Sequence, residues 1–236
     1  LVQRLLERII VPHFKDAMGI DKESHVKFLF GKGVPANRRI RRQRIHWMNR
    51  LWVPLAHAYL DEAVAAADNS AASTDRILSH LDPDIVAPDV VESLQNTINK
   101  EWGAGTYNVR QDLNLWYGRI EFEKIVDEVF GELLFDFCES IVEHRADVVL
   151  LAGLPSKLPY IRQLVETYLP LAKSRIVPMH RWYAGSWYPY QNPDNENPGV
   201  IVDPKSTVVV GAAIEFCAKH GKLPQFNFEM TDKACL

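Results

Sequence analysis

Residues 150–159 read LLAGLPSKLP, and this stretch decides how the chain is interpreted. An apolar run ends at Gly153, a small turn-prone patch follows, and Lys157 and Pro159 lead into a pattern with helical spacing. The order predicts a buried strand, a tight loop and a helix that starts directly after the loop. Because the loop carries few bulky side chains, backbone N–H groups could approach an anion or a sugar closely. The alternative is a plain strand–helix connection without a ligand.

The composition describes an ordinary globular protein. The 236 residues are enough for one large domain or two small ones, and 47% of them are apolar, which excludes a disordered chain. The net charge of -3 favours neither nucleic acid nor a membrane as a partner. No apolar run reaches the roughly 18 residues that span a bilayer. We therefore predict no membrane span and no nucleic-acid partner.

The side chains that most often carry catalysis or bind metals form no recognisable pattern. Cys138, Cys217 and Cys235 are widely spaced, which predicts free thiols in a reducing compartment and hence a cytoplasmic protein. The eight histidines include no pair at metal-ligand spacing, and neither a P-loop nor a Ser-His-Asp order is present. We assign no catalytic residue and no metal ligand within this chain.

Strands alternate with helices in the second half of the chain, which indicates an α/β architecture. The patterns there predict a helix at 121–145, a strand at 148–151, a helix at 160–168, a strand at 175–179 and a helix at 207–219. The apolar stripe of the first of these helices consists of Phe122, Ile125, Val129, Leu133, Phe137 and Ile141.

The first half of the chain is predicted to be mostly helical. Its segments are a helix at 1–14 that Pro12 ends or kinks, a short helix and loop at 15–37, a long helix at 38–67 kinked at Pro54, an exposed turn at 68–74, two short helical or irregular pieces at 77–102, and a local strand at 108–117. The chain begins inside a helical pattern, so we expect it to be part of a longer protein.

A second informative segment is VDPKST at 202–207, followed by VVVGAAI at 208–214. Asp203 and Pro204 predict a turn that opens a helix, with Pro204 in the first helical turn. Gly211 and the alanines after it would let that helix pack closely against a sheet. In this order and at this spacing, the two segments resemble the adenosine-side loop and closing helix of the ATPase superfamily of actin and the seventy-kilodalton chaperones.

The segment between them, RIVPMHRWYAGSWYP at 175–189, makes the resemblance more specific. Together with the Gly153 loop and the Asp-Pro-Lys turn, it is similar to the SrfB family of bacterial virulence proteins. The resemblance implies the C-terminal lobe of an actin-like ATPase with a ribonuclease H-like α/β fold. Residues 1–37 and 119–236 would form the α/β subdomain, and residues 38–118 a mostly helical inserted subdomain.

The resemblance also implies that this lobe binds ATP or ADP with Mg²⁺ across a cleft shared with the N-terminal lobe of the same protein. The adenosine side would be lined by Gly153, Leu154, Pro155, Ser156, Lys157, Asp203 and Lys205. Ser156 could cap the helix and bond a ribose, and Lys157 could lie along the purine. Leu154 departs from the superfamily pattern, which has a second glycine there, and its side chain would reshape or abolish the pocket.

The Asp-Gly hairpins with which such ATPases bind phosphate and Mg²⁺ are missing, because no Asp-x-Gly-x-Gly-Thr string occurs. Phosphoryl transfer depends on positioning the phosphate and metal. We therefore expect this chain not to hydrolyse ATP alone, and its phosphate and metal ligands to lie outside it.

A basic cluster near the start of the long helix has three interpretations. It consists of Arg38, Arg39, Arg41, Arg42, Arg44 and Arg50. The cluster could be a solvated helix face or a surface for phosphate backbones. The resemblance adds a third possibility, in which Arg42 and Arg44 contact the base or ribose of the nucleotide.

An aromatic loop supports an alternative function. Trp182, Tyr183, Trp187, Tyr188 and Tyr190 crowd into residues 182–190. The loop could cover the edge of the sheet, or Trp182, Trp187 and Tyr188 could bind a protein partner, since Trp and Tyr dominate interface hot spots. In the second case the chain would be a degenerate, non-hydrolysing interaction module.

Overall fold

The computed structural model describes residues 1–30, 37–68, 75–79, 83–107, 109, 114–185, 187–189, 199–201 and 203–223, with main-chain detail only at 66–68, 75–79 and 114–117. Tyr190, Val202, Cys235 and the turn predicted at 69–74 lie outside these residues. The chain divides into two compact units, residues 1–132 and 133–236, and each is described by itself.

The described helices are α1 (Val2–Leu5), α2 (Val11–Ala17), α3 (Glu23–Phe30), α4 (Arg38–Trp47), α5 (Val53–Asp68), α6 (Pro88–Trp102), α7 (Arg119–Val126), α8 (Glu132–Glu143), α9 (Pro159–Tyr168) and α10 (Thr207–Lys219). The strands are β1 (Asp75–Ser79), β2 (Asn114–Gly118), β3 (Val149–Leu151) and β4 (Ile176–Pro178). π turns at Leu6–Ile10, Met48–Trp52 and Asp127–Gly131 join α1 to α2, α4 to α5 and α7 to α8.

Two of these π turns end two residues before a proline, at Pro12 and Pro54. Proline cannot donate to the carbonyl four residues back, and its ring clashes with that carbonyl. The residue before each proline donates instead to a carbonyl five residues back: Val11 to Leu6, and Val53 to Met48. The sequence predicted an irregularity at both prolines, and the structure accommodates each with a wide turn in a continuing helix.

The core of the first unit forms around α4 and α5. Trp47 and Tyr59 are completely buried, and Trp52 packs edge-to-face on Phe14 with ring centroids 4.8 Å apart. Through these contacts α1 and α2 pack with the helices that follow them in sequence. The division expected from the sequence, which groups residues 1–37 with 119–236, differs from the division into residues 1–132 and 133–236.

Strands β1 and β2 pair antiparallel, with Ile77 opposite Trp116. The prediction of helical or irregular structure at 77–79 is therefore wrong, because pairing with a strand far along the sequence decides the conformation there. Residues 88–102 form a single helix, which Pro88 starts in the position that a missing N–H favours. The predicted break into two pieces lies upstream of that helix.

The second unit contains a β–α–β arrangement. β3 and β4 pair in parallel, with Val149 opposite Ile176, and α9 lies between them in sequence. Val149 and Ile176 are buried with Cys138, Val165 and Leu169. The predicted strands and the helices at 160–168 and 207–219 are confirmed to within a residue or two. The actin-like fold class stays a prediction.

The apolar stripe predicted for the helix at 121–145 changes face along its length. Phe122 is buried as expected, but Leu133 is 64% exposed and Phe137 is 56% exposed. After the π turn at Asp127–Gly131, Cys138 is the buried residue. A π turn holds one residue more than a regular turn, so the buried face moves forward by one position from Phe137 to Cys138.

Candidate functional site

The Gly153 loop connects β3 to α9 through a short 3₁₀ turn at Leu154–Lys157. Gly153 has φ +81° and ψ 165°, a conformation that side chains disfavour. The Ser156 hydroxyl is buried and donates to the Gly153 carbonyl at 2.7 Å. Leu158, and not Ser156, occupies the N-cap of α9, so the predicted capping role of Ser156 is wrong.

The Asp203 turn closes on itself by hydrogen bonds. The Asp203 carboxylate accepts a hydrogen bond from the Lys205 N–H at 3.0 Å, and the backbone carbonyl of Asp203 accepts one from the Ser206 hydroxyl at 2.7 Å. This confirms the predicted turn. Because Thr207 begins α10 with Ser206 as its N-cap, Pro204 lies before the first helical turn and not inside it, contrary to the prediction.

The structure brings the two predicted segments together. The Gly153 N–H donates to the Pro204 carbonyl with an N···O distance of 3.3 Å, and the Thr207 hydroxyl donates to the same carbonyl at 2.8 Å. Gly153 therefore uses its N–H to hold the turn and does not offer it to an anion. Asp203 and Lys205 are exposed beside this junction.

Three further loop residues lie in the 3₁₀ turn between this junction and α9. Leu154 is 44% exposed, and Lys157 is half-buried at the end of the 3₁₀ turn. Pro155 is exposed and lies in the same turn. The carboxylate of Asp203 and the two ammonium groups of Lys157 and Lys205 are the charges that this arrangement can offer to a ligand.

Helix α10 is not covered where the sequence predicted close packing. Gly211 is exposed, and a Cβ added there would meet no described atom within 4 Å. Val208 is 72% exposed and Phe216 is 59% exposed, whereas Val210 is buried beside Tyr188 and Ile201. The described part of the chain therefore places no sheet against the Gly211 face.

Arg42 and Arg44 belong to the first unit and the Gly153 loop to the second. Arg44 donates from its guanidinium to the carbonyls of Phe28 and of Lys27, the latter at 2.8 Å, and so caps the C-terminus of α3. Burial lowers the pKa of Arg44 from its ordinary value. The predicted contact of Arg44 with a nucleotide conflicts with these hydrogen bonds, whereas Arg42 is exposed on α4.

The aromatic loop presents some of its rings and buries another. Trp182 is 50% exposed and Trp187 is 53% exposed. Tyr188, which the sequence analysis assigned to the partner surface, is 2% exposed, and its hydroxyl lies 2.7 Å from the Ser206 hydroxyl. We therefore correct its role: Tyr188 anchors the loop to the Asp203 turn.

The backbone explains how the loop is held. The Ala184 N–H donates to the Gly199 carbonyl at 2.8 Å, and the Ile201 N–H donates to the Trp182 carbonyl at 2.9 Å. Gly199 has φ +97°, and a Cβ there would lie 2.6 Å from the Gly185 carbonyl carbon. Only glycine fits this close approach of two backbone segments.

Two grooves that the described residues of the second unit form were not predicted. One has a volume of about 310 Å³ and is lined by Trp187, Pro189, Val209, Val210, Ala213, Ile214, Cys217 and Leu223. The other measures about 390 Å³ and is lined by Phe135, Cys138, Glu139, Val142, Glu143 and Tyr168. The second groove could have been suspected from the sequence of α8, because its apolar and acidic residues surround the helix and cannot all be buried.

Neither a metal centre nor a membrane span emerges from the described residues. Among them, no group of three or more His, Cys, Asp and Glu side chains is placed to hold a metal ion. None of the helices within the described ranges is long and apolar enough to cross a bilayer.

The chain was compared with protein families, curated proteins and solved structures. The family described as virulence factor SrfB matches residues 1–235 of the chain. No curated protein and no solved structure matches this chain.

Proposed function

The chain belongs to the SrfB virulence-factor family, and from that premise we propose that it binds an adenine nucleotide on one wall of a two-lobed, actin-like cleft. The observation that supports this proposal is the 3.3 Å hydrogen bond from the Gly153 N–H to the Pro204 carbonyl. It joins two segments about fifty residues apart in sequence, whose order and spacing suggested the nucleotide site.

The proposed roles follow from the groups that remain available at this junction. The exposed Asp203 carboxylate retains acceptor capacity for ribose hydroxyls, since within the described part of the chain it accepts only from the Lys205 N–H. Lys157 would lay its apolar stem along the purine while its ammonium stays in water. The exposed Leu154 would add an apolar contact to the base. Pro155 and Ser156 shape the loop.

The phosphates and Mg²⁺ are expected to be held outside this chain. Among the described residues, no three or more His, Cys, Asp and Glu side chains are grouped to hold a metal ion, and the Gly153 N–H is already used within the protein. The chain would therefore recognise the adenosine part of the nucleotide. Hydrolysis would need the N-terminal lobe that the family resemblance implies.

Calorimetric titration of the 236-residue chain with adenosine, ADP and ATP, each with and without Mg²⁺, tests this proposal. We expect similar affinities for all three ligands and no dependence on Mg²⁺. The Lys157→Ala variant should bind about threefold to tenfold more weakly, the loss of one contact of modest strength. The exposed Lys222 supplies the matched control, and Lys222→Ala should bind like the wild type. Absence of adenosine and ATP binding by the wild type would refute the proposal.

A second candidate function is protein binding through the aromatic loop. The exposed rings of Trp182 and Trp187, and the apolar groove that Trp187 shares with α10, favour it. Trp187→Ala should then abolish a pull-down interaction while nucleotide affinity stays unchanged, and Lys222→Ala should preserve both. An interaction that survives Trp187→Ala would count against this role.

A further inference from the structure

Helix α8 carries an acidic seam in the second unit. Asp136, Glu139 and Glu143 are exposed and lie three and four residues apart, so they share one face over about 10 Å. None of the three forms an ion pair with a described residue. Their charges are therefore unbalanced on this helix face.

A groove lined by both apolar and acidic side chains borders this seam. Phe135 is 47% exposed and Val142 is 48% exposed, and the ring of Phe135 meets Tyr168 edge-to-face with centroids 5.5 Å apart. Glu139 and Glu143 contribute to the same groove, whose volume is about 390 Å³. The groove therefore suits an apolar side chain that has cationic neighbours.

Helix α4 in the first unit offers that combination. Arg38, Arg41, Ile45 and Met48 recur at three- and four-residue spacing. The two arginines are exposed and form no ion pair with a described residue, while Ile45 is 52% exposed and Met48 is 39% exposed. Arg38 and Arg41 lie one helical turn apart, as neighbouring carboxylates of the α8 seam do.

We propose that the α8 groove of one copy of this chain binds α4 of a second copy. Ile45 enters the groove between Phe135 and Val142, and Arg38 and Arg41 pair with the α8 carboxylates. Charge complementarity selects this occupant, because both seams are exposed on the single chain and each supplies what the other lacks. The contact joins two different surfaces, and since every chain carries both of them, association rises with concentration.

Sedimentation velocity of the full chain, at increasing protein concentration in 0.05 M and 1 M salt, tests this contact. We expect dimers or larger species at low salt. They should dissociate at 1 M salt, where screening shortens the reach of surface charges to about 3 Å. A chain that stays monomeric at low salt, or that changes only its shape and not its mass, overturns the proposal.

Charge reversal identifies the surfaces. R38E/R41E and E139K/E143K should each weaken self-association at least about tenfold, since each turns two attractive pairs into repulsive ones. An equimolar mixture of the two variants should restore it, because each then meets an oppositely charged seam. The control K22E/K100E, at two exposed lysines, should associate like the wild type.

Ile45→Ser provides a test that leaves every charge in place, and it should weaken association through the loss of the apolar anchor. Far-UV circular dichroism confirms that each variant is folded. Failure of the mixture to restore association, or unchanged association in both charge variants, overturns the proposal. The outcome is independent of the nucleotide titrations, because none of these residues lies in the Gly153 loop or the Asp203 turn.

Discussion

Replacing Gly153 by alanine should lower the free energy of unfolding, whereas replacing Gly211 by alanine should raise it. Gly153 lies at φ +81° and ψ 165°, where a side chain costs about 1–3 kcal/mol. Its added Cβ would meet only the Pro155 Cδ at 3.8 Å, an ordinary contact, so backbone strain is the whole effect. Gly211 lies inside α10, and its Cβ would meet no described atom within 4 Å. Alanine there should stabilise the helix by about 0.5–1 kcal/mol.

Urea unfolding followed by circular dichroism measures both changes. Thermal unfolding should show shifts of about 2–4 °C per kcal/mol. Hydrogen exchange of peptides covering 149–168 and 207–219 assigns each change to its own segment. An unaltered stability of Gly153→Ala would refute the strained backbone. A loss of stability in Gly211→Ala would show that another surface packs on that face of α10.

Three other changes test contacts that the structure assigns. Tyr188→Phe should lower the free energy of unfolding by about 1 kcal/mol: Ser206 gives its one proton to the Asp203 carbonyl, so Tyr188 must donate to Ser206. Arg44→Ala should cost about 1–2 kcal/mol through two lost bonds to α3 carbonyls. Burial raises the pKa of the Cys138 thiol in the folded chain. Above about pH 8.5 only the unfolded chain loses this proton, so the free energy of unfolding should fall as pH rises. Cys138→Ala should make this dependence on pH less steep.

Matched variants serve as controls for these predictions in urea unfolding. Tyr183→Phe and Arg42→Ala alter exposed residues and should leave stability unchanged. The pH series should end near pH 9, because burial also raises the pKa of Tyr107, which then keeps its proton throughout. If Tyr188→Phe or Arg44→Ala unfolds with the wild-type free energy, the hydrogen bond assigned to that side chain is contradicted. If the free energy of unfolding of Cys138→Ala falls with pH as steeply as that of the wild type, the buried thiol is not its cause.

Local patterns were sufficient to predict much of the second unit. The strand at Val149–Leu151, the helix at Pro159–Tyr168 and the helix at Thr207–Lys219 each follow from a short apolar pattern with a turn signal at its end. β1 could not be predicted in this way, because its conformation depends on pairing with β2 about forty residues later. The exposure of Leu133 could not be predicted either, because the extra residue of the π turn at Asp127–Gly131 shifts the buried face of the helix that follows.

The candidate site was predicted as a pair of segments but not in its hydrogen bonds. The family resemblance implied that the Gly153 loop and the Asp203 turn line one site, and the two segments do meet. It could not show that Ser156, Arg44 and Tyr188 use their polar groups within the protein. Those partners are carbonyls and a hydroxyl whose positions depend on the completed fold.

The π turn at Met48–Trp52 also makes the direction of α4 sensitive to chain length. Deleting one residue there, such as the exposed Asn49, would remove the extra residue of the wide turn and leave only the missing hydrogen bond at Pro54. We expect this to rotate α4 by about 100° about its axis relative to α5. The arginines and Ile45 would then point in a new direction, although none of them had been substituted. Trp47, now completely buried, would turn toward solvent, and stronger iodide quenching of the protein's total tryptophan fluorescence than in the wild type would detect the rotation.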